Sequence, residues 1–384
     1  MNHKISEHIT NSKEWLLNSV LPLWSRQGFD TKRKSFVESL MHDGTPSLSN
    51  RRTMVQCRQI YSFTEASRLG LFDRDVAKEM VSASVNFLLS YRPSQDDGFP
   101  HAVDVDGKIA IASPDLYSQA FVLFGLARAY EVVGSKKIKD EALHLLKYLN
   151  SNRRAPRGGY TEVKEGQTRY QSNPHMHLFE ALIEWCRVDF DTTWKNSADE
   201  IFDLCTENFL NREVGCICEF FDESWRPLTD AGRFFFEPGH QYEWAWLMSR
   251  YSDIAGKNVG EIPFKLFAFS ERVGVKSSYV LDEIWNDLTA KKESSRFWPQ
   301  CERIKCAVSL GMKSQPEDQV GFAEAADQAM DALFTYFETP LRGLWRDMRF
   351  DDGTFDYNPA KGSSLYHIVG AISEYLQRRP QLQG

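Results

Sequence analysis

The sequence lacks both a long apolar run and an excess of basic residues. Its most apolar stretch, residues 120–129, is about half as long as a bilayer requires and contains Arg128. The 384 residues include 46 Lys and Arg against 53 Asp and Glu, a formal net charge of −7, so the basic surface typical of nucleic-acid binding is missing. The opening MNHKISEHITNSKEW contains no apolar core of a secretory signal. We expect a cytoplasmic protein that binds neither membranes nor nucleic acid.

Paired cysteines and the common cofactor motifs are also missing. The seven cysteines are odd in number and scattered, which is typical of buried thiols rather than of a disulfide framework. Cys216 and Cys218 form a C-x-C pair without a matching second pair, so structural zinc is not expected. The chain has no Walker loop, G-x-G-x-x-G, G-x-S-x-G or H-E-x-x-H motif. We therefore expect neither a cofactor nor a metal.

What the sequence does contain is a repeat of about sixty residues. Amphipathic segments, apolar around most of their circumference, recur at spacings of 59, 60, 63, 58 and 68 residues. They begin at Arg58, Tyr117, His177, His240, Trp298 and Tyr366. Helices with a narrower apolar stripe alternate with them, for example over residues 76–91, 137–150, 197–210 and 322–337. Glycine- and aspartate-rich strings such as GFPHAVDVDG and GGYTEVKEG precede most of the first set and predict small hairpins.

Six such units of outer helix, hairpin and inner helix fill the chain, and no stretch has the composition of a linker. The pattern predicts an all-α protein, a single (α/α)6 barrel over residues 1–384 with short β-hairpins at its mouth. An open helical solenoid is the alternative. The count of six favours the closed ring.

Unusual polar residues gather near the predicted starts of the inner helices. In a closed ring these starts share one mouth, where the helix dipoles favour developing negative charge. His177, His240 and His367 fall at equivalent positions in separate repeats, which favours a function over simple helix capping. A metal site of His175, His177 and His240 is disfavoured, because helical residues two apart point about 200° away from each other.

The aromatic residues at the mouth suit a sugar. Tyr117 and Trp298 can pack on the apolar faces of sugar rings, and Arg58 lies among apolar neighbours as a buried guanidinium would. An inverting glycosidase would need two carboxylates, for which Glu243, Glu302 and Asp115 are candidates. The histidines instead suit proton transfer at a carbon next to a carbonyl. A sugar-binding module without activity is the alternative outside the enzymes.

Strings from all six repeats are similar to the N-acylglucosamine 2-epimerase superfamily, which includes N-acylglucosamine and cellobiose 2-epimerases and aldose–ketose isomerases acting on mannose. The strings are CRQIYSF, SPDLYSQAFVLFGLARAY, NPHMHLFEA, EPGHQYEWAWLM, RFWPQCE and SSLYHIVGA. This resemblance covers essentially the whole chain. It implies a metal-independent isomerase or epimerase on an (α/α)6 barrel and admits a homodimer.

The resemblance also implies roles for individual residues. His367 of SLYHIVG and His240 of PGHQYEW would be the acid–base pair, with His367 taking the C2 proton of an open-chain aldose. Arg58 would stabilise the enediolate, and Glu243 would orient the histidines. Further residues implied in sugar binding are His177, Tyr117, Met176, Trp298, Gln300, Glu302 and Met54.

Small features guide the choice of substrate. The tryptophan after the glutamate in HQYEWAW resembles the mannose-acting branch, whereas Met54 stands where several mannose isomerases carry an aromatic residue. We expect isomerisation of a monosaccharide, D-mannose to D-fructose, through a cis-enediolate. The alternatives are 2-epimerisation of mannose to glucose and isomerisation of mannose 6-phosphate.

Overall fold

The structure, a computed structural model, describes residues 3–164 and 166–383; residues 1, 2, 165 and 384 of the predicted domain lie outside it. Its α-helices are α1 (His3–Trp15), α2 (Leu21–Arg26), α3 (Thr53–Arg68), α4 (Arg74–Ser90), α5 (Leu116–Val133), α6 (Lys136–Asn152), α7 (Ser172–Val188), α8 (Thr192–Leu204), α9 (Pro238–Ala255), α10 (Ile262–Gly274), α11 (Phe297–Gly311), α12 (Pro316–Thr335) and α13 (Leu365–Arg378). The π-helical turns Leu16–Val20 and Cys205–Phe209 follow α1 and α8, and the 3-10 turns Gly362–Ser364 and Arg379–Gln381 flank α13.

A closed ring of helices forms the centre of the described molecule. Helix α3 contacts α5, and contacts continue through α7, α9, α11 and α13 back to α3. Helices α4, α6, α8, α10 and α12 each pack outside the ring helix that precedes them, while α1 packs on α13. The closure confirms the predicted (α/α)6 barrel and excludes the open solenoid. Because helices from both ends of the chain close the ring, we keep one domain over residues 1–384 as our proposal.

Two inner helices begin earlier than their repeated segments predict. Helices α3 and α7 start at Thr53 and Ser172, so Arg58 and His177 lie on the second helical turn. A strand runs directly into each helix, Arg51–Arg52 into α3 and Gln167–Gln171 into α7. The first turn of α7, Ser172 to His175, has no apolar periodicity from which its start could be predicted, and in α3 the apolar Met54 and Val55 directly follow the strand.

Short antiparallel strands occupy the loops on the N-terminal side of the ring. They are β1 (Phe29–Asp30), β2 (Ser35–Phe36), β3 (Ser39–Leu40), β4 (Arg51–Arg52), β5 (Ala102–Val103), β6 (Ile109–Ile111), β7 (Glu162–Lys164), β8 (Gln167–Gln171), β9 (Leu210–Asn211), β10 (Cys216–Ile217), β11 (Phe220–Phe221), β12 (Phe235–Phe236), β13 (Val275–Lys276), β14 (Tyr279–Val280), β15 (Glu283–Trp285), β16 (Ala290–Lys292), β17 (Ser295–Arg296), β18 (Met348–Arg349) and β19 (Ala360–Lys361).

The strands form the predicted hairpins and also pairs between different repeats. Hairpins such as β1–β2, β9–β10 and β13–β14 are present, but other pairs join different repeats. Strands β4 and β5 join the first and second repeats, β8 and β11 the third and fourth, and β17 and β18 the fifth and sixth. Strand β19 returns to β3, with Ala360 opposite Leu40. Strand pairs thus link different repeats around the mouth, in addition to the contacts between the ring helices.

An amide clamp ties most hairpins to their own inner helix. Gln56 Oε1 accepts the backbone N–H of Phe36, and its Nε2 donates to the carbonyl of the same residue, both at 2.8 Å. The equivalent clamps join Gln119 to Phe99, Gln241 to Ile217 and Gln300 to Val280. In the third repeat His175 replaces the glutamine, and its Nε2 accepts the N–H of Tyr160.

In several repeats, the hairpin carries an acidic residue two positions after the residue whose backbone the clamp holds. Their carboxylates accept backbone N–H groups at or just before the starts of inner helices, where these donors lack a helical partner. The pairs are Glu38 with Arg52, Glu162 with Leu116 and Tyr117, Glu219 with Glu237, and Asp282 with Arg296. This spacing of two residues places the carboxylates at the mouth of the ring.

Two further expectations bear on the fold. All seven cysteines lie in the described residues and are free thiols, as their scatter predicts. Within residues 3–164 and 166–383, no helix has the length and apolar character that crossing a membrane requires.

Candidate active site

A cavity of about 150 Å³ lies at the N-terminal ends of the inner helices. The structure brings seven predicted site residues into its wall: Arg58, Tyr117, His177, His240, Glu243, Trp298 and His367. Asn173, Glu237 and Arg296 complete the lining. The predicted convergence of the inner-helix starts on one concave site therefore holds in the described structure.

Both candidate acid–base histidines are backed by a buried carboxylate. His240 Nδ1 lies 2.9 Å from Glu219 Oε2, and His367 Nδ1 lies 2.8 Å from Glu302 Oε1. With Nδ1 donating to a carboxylate, each ring presents Nε2 to the substrate. The Trp298 indole lies between the two rings, with centroids 5.1 Å from His240 and 5.6 Å from His367.

Glycine permits this position of the indole. A Cβ atom at Gly239 would lie 2.6 Å from the Trp298 ring, closer than any real contact. The glycine of PGHQYEW therefore allows α9 and α11 to approach where His240 and Trp298 meet.

The surroundings shift the two histidine pKa values in opposite directions. Burial lowers the pKa of His240, but nearby carboxylates, that of Glu219 foremost, outweigh burial and raise the pKa to about 9. Burial, together with the cations of Arg58 and Lys305, lowers the pKa of His367 well below its usual value. Near neutral pH, His240 is a cation and His367 is neutral, which are the states of a general acid and a general base.

Arg58 is held in an aromatic cage beside them. Its guanidinium carbon lies 4.1 Å from the ring centroid of Phe121 and 4.9 Å from that of Tyr366. One terminal nitrogen donates to the Tyr117 hydroxyl at 2.7 Å and the other to the carbonyl of Ser363 at 3.1 Å. Its Nε is buried and has no hydrogen-bond partner among the described residues.

A second layer of acidic groups lies beneath the cavity. His177 Nδ1 is 3.4 Å from Glu180 and 3.9 Å from Glu243, and Tyr366 donates its hydroxyl to Glu180. Burial lowers the pKa of His177 to about 4, so its imidazole is neutral. Burial and the nearby Glu302 raise the pKa of Glu243 well above its usual range.

Four predicted sugar-binding residues lie outside this cavity, which corrects the expectation that they line it: Gln300, Met176, Met54 and Glu302. Gln300 is fully buried, and its amide bonds the backbone of Val280 and the hydroxyl of Ser295. Met176 and Met54 are buried in the apolar core. The inner helices are surrounded by protein, so residues near their starts point into packing as often as into the cavity. Glu302 lies behind His367 rather than in the wall.

Sequence reasoning missed Glu219, Asn173, Glu237 and Arg296. Arg296 lies 5.1 Å from the Trp298 centroid and donates to Glu237 at 2.6 Å, so it holds the rim of the cavity. Glu219 and Arg296 come from hairpin segments rather than from helical repeats. The spacing between clamping glutamine and hairpin does not identify Glu219, because it is 24 residues for Gln241 and Ile217 but 20 in three other repeats.

Three groups have ligand atoms close enough together to surround a cation. They are His177 with Glu180 and Glu243, Glu219 with Glu237 and His240, and Glu243 with Glu302 and His367. In each group a histidine Nδ1 already lies against a carboxylate. Each histidine thus already has a carboxylate partner, and metal-free chemistry remains our proposal.

The (α/α)6 barrel with this cavity at its mouth belongs to an enzyme of the class of the sugar isomerases and epimerases. Residues 35–371 match the family described as N-acylglucosamine 2-epimerase (GlcNAc 2-epimerase), and the chain belongs to this family.

Relatives and solved structures agree with this assignment. The chain is 35% identical over 368 residues to a mannose-6-phosphate isomerase of Rhizobium meliloti, covering 94% of each chain. It is 23% identical over 325 residues to a cellobiose 2-epimerase of Dictyoglomus turgidum, covering 79% of this chain and 81% of that one. A solved D-mannose isomerase superposes with a TM-score of 0.83 at 18% identity over 97% of both chains. The structural likeness supports the fold.

Proposed function

We propose that the protein interconverts D-mannose and D-fructose through a cis-enediolate, with His367 as the base and His240 as the acid. The observation that carries the proposal is the pair of carboxylate-backed imidazoles, one protonated and one neutral, on one small cavity. A neutral base and a protonated acid fit either outcome, since His367 can return the proton to C1 or His240 can protonate C2 from the opposite face. We favour isomerisation because the chain is 35% identical to a relative named an isomerase.

The reaction follows from these states. The imidazolium of His240 protonates the ring oxygen as the C1–O5 bond breaks, and the neutral imidazole so formed takes the O1 hydroxyl proton, which leaves the C1 aldehyde and restores the imidazolium. Nε2 of His367 removes the C2 proton, and the electron pair moves through C1 onto O1. Arg58 stabilises the negative oxygen of the resulting enediolate. His367 then returns its proton to C1, while the hydroxyl proton on O2 passes to O1 and leaves the C2 ketone.

The rim favours an unphosphorylated sugar. Arg58 and Arg296 supply the guanidinium groups of the described cavity wall. Arg58 is held by Tyr117 and a backbone carbonyl, and Arg296 bonds Glu237 and Asp282. A phosphate would have to compete with two carboxylates for Arg296. The name of the Rhizobium relative nevertheless makes mannose 6-phosphate the second candidate substrate.

The first test incubates EDTA-treated protein with D-mannose in D2O and follows the sugars by NMR. Fructose with little or partial deuterium at C1 would support metal-independent transfer by one shielded base. Glucose deuterated at C2 would instead indicate a two-base epimerase. Turnover of mannose 6-phosphate alone would identify the second candidate, and no turnover of either sugar would contradict the proposal.

The variant His367→Asn tests the base directly. We expect kcat to fall by about 10²–10⁴-fold, the usual contribution of general base catalysis, while mannose still binds. His144→Asn, on the outer helix α6, is the matched control and keeps the kcat of the parent protein. A sugar-binding module would show no turnover in either form, and a glycosidase would lose hydrolysis of an oligosaccharide on Glu243→Gln.

A further inference from the structure

Lys305 is a buried ammonium for which the proposed reaction has no role so far. It is 1% exposed, lies one helical turn after Glu302 on α11, and its Nζ is 2.6 Å from Glu302 Oε2. The same nitrogen lies 3.7 Å from the ring centroid of Trp246 and 5.6 Å from that of Tyr366. Burying an ammonium is costly unless it is paired, so its position requires an explanation.

We propose that Lys305 is a positioning residue that keeps Glu302 a carboxylate and thereby holds His367 in the tautomer whose Nε2 accepts the substrate proton. This inference rests on the proposed function, because it explains how His367 is kept in the form that can act as the base. The three side chains form one chain of contacts, Lys305 to Glu302 at 2.6 Å and Glu302 to His367 at 2.8 Å.

The protonation of Glu302 decides the tautomer. A carboxylate only accepts, so it takes Nδ1–H and leaves a lone pair on Nε2 of His367. A protonated carboxylic acid would donate to Nδ1 and force the proton onto Nε2, which could then no longer act as a base. Glu302 is fully buried and close to Glu243, conditions that favour the protonated form. Burial raises the pKa of Glu302, and the ammonium of Lys305 opposes this rise.

The ammonium of Lys305 also explains why His240 and His367 differ in charge near neutral pH. Glu219 gives its two oxygens to the His240 ring and to the N–H of Glu237, and no described ion pair joins it to Lys or Arg. The charge of Glu219 therefore remains available to hold a proton on His240. Glu302 is neutralised by Lys305, so the same kind of contact orients His367 without charging it.

Other groups around His367 do not replace this ammonium. Arg58 is fixed by Tyr117 and a backbone carbonyl rather than by Glu302. The titratable and charged groups near His367 on the inner helices are Arg58 on α3, Tyr117 on α5, His177 and Glu180 on α7, His240 and Glu243 on α9, Glu302 and Lys305 on α11, and Tyr366 on α13.

The experiment reads the tautomer of His367 by 15N NMR of the full-length protein labelled at histidine, with His367→Asn assigning the signal. Near neutral pH we expect Nδ1–H in the parent protein and Nε2–H in Lys305→Met, with kcat reduced by about 10²-fold or more. Lys305→Arg should keep the parent tautomer and restore most of kcat. An unchanged tautomer in Lys305→Met would overturn the inference.

A second pair of variants gives a test that does not depend on Lys305→Met folding. In Glu302→Gln, Lys305 binds the amide oxygen and turns the NH2 group toward His367 Nδ1, which again forces Nε2–H. In the double variant Lys305→Met/Glu302→Gln, the amide oxygen is free to accept Nδ1–H. We expect the double variant to turn over at least tenfold faster than Glu302→Gln; equal or slower turnover would contradict a positioning role.

The two proposals can fail separately. The tautomer is measured without substrate, so it decides the role of Lys305 even if the parent protein converts no mannose. If mannose is isomerised and the tautomer ignores Lys305, this inference falls and the proposed function stands.

Discussion

His240 and His367 each donate Nδ1–H to a buried carboxylate, yet one is a cation and the other is neutral near pH 7. The difference comes from neighbours one contact further away, Glu237 beside the first histidine and Lys305 behind the second. The sequence predicted both histidines because they recur at helix starts. Their charges were not predictable, since the repeat pattern does not show which carboxylates face which ring.

Glu219→Gln tests how the acid is charged. The pKa of His240 is raised to about 9, so the protonated form persists up to that pH and kcat/KM should fall above it. Removing the Glu219 charge removes the largest raising influence, so the basic limb of the pH profile should move to lower pH by one unit or more. Profiles of kcat/KM with mannose between pH 5 and 10 measure this change.

Glu223→Gln is the matched control because Glu223 is exposed on the same hairpin. Its basic limb should coincide with that of the parent protein. A Glu219→Gln profile with only a lower plateau would show that Glu219 orients His240 without charging it.

Helices and strands differ in how far the sequence predicts them. The inner helices were found because 14 to 18 residues share one periodicity, whereas most strands have two residues and no periodicity at all. The strands are held instead by single side chains, the clamping amides of Gln56, Gln119, Gln241 and Gln300. A glutamine inside an amphipathic helix looks like an ordinary polar position, and so Gln300 was mistaken for a sugar ligand.

Gln241→Leu tests whether a clamp serves the chemistry as well as the fold. It leaves the buried N–H and carbonyl of Ile217 without their partner, at a cost of about 1–3 kcal/mol for each unsatisfied group. Glu219 lies two residues further along, so the His240 contact should loosen and kcat should fall at least tenfold at 25 °C. Thermal unfolding and steady-state kinetics measure the two effects.

Gln56→Leu is the comparison, because it breaks the same clamp in a repeat whose hairpin carries Glu38 rather than the partner of a catalytic histidine. We expect a similar loss of stability and a much smaller loss of kcat. Equal losses of kcat in both variants would show that the clamps act on activity only through global stability.

The two ends of the barrel carry different kinds of side-chain clusters. The mouth gathers groups that face a sugar, while the opposite end is closed by an ion-pair network around Glu184. This carboxylate contacts Arg128 at 3.1 Å, Arg187 at 3.0 Å and also Arg250, and Arg128 continues to Glu65 at 2.8 Å. Closure of the ring was predictable from six repeats, but this network was not, because its members are brought together only by the closure.

Glu184→Gln should therefore reduce stability while leaving the chemistry intact. Burial raises the pKa of Glu184, but Arg250 and Arg128 outweigh burial and hold it well below its usual range. A carboxyl with a depressed folded pKa stabilises the protein above its unfolded pKa of about 4.3, and the contribution is lost as the pH falls toward the folded value. Stability of the parent protein should thus decline steeply below about pH 4.3.

The variant leaves three guanidinium groups facing a neutral amide, so we expect a loss of about 3–5 kcal/mol at pH 7 and a shallower decline in acid. Urea unfolding at pH 7 and pH 4 measures both quantities, and kcat of the folded variant at 25 °C should match that of the parent. Glu131→Gln, at the partly exposed edge of the same network, should cost less than about 1 kcal/mol. If both variants cost the same, the network adds no more to closure of the ring than surface ion pairs do, and the apolar contacts between neighbouring helices are what hold this end together.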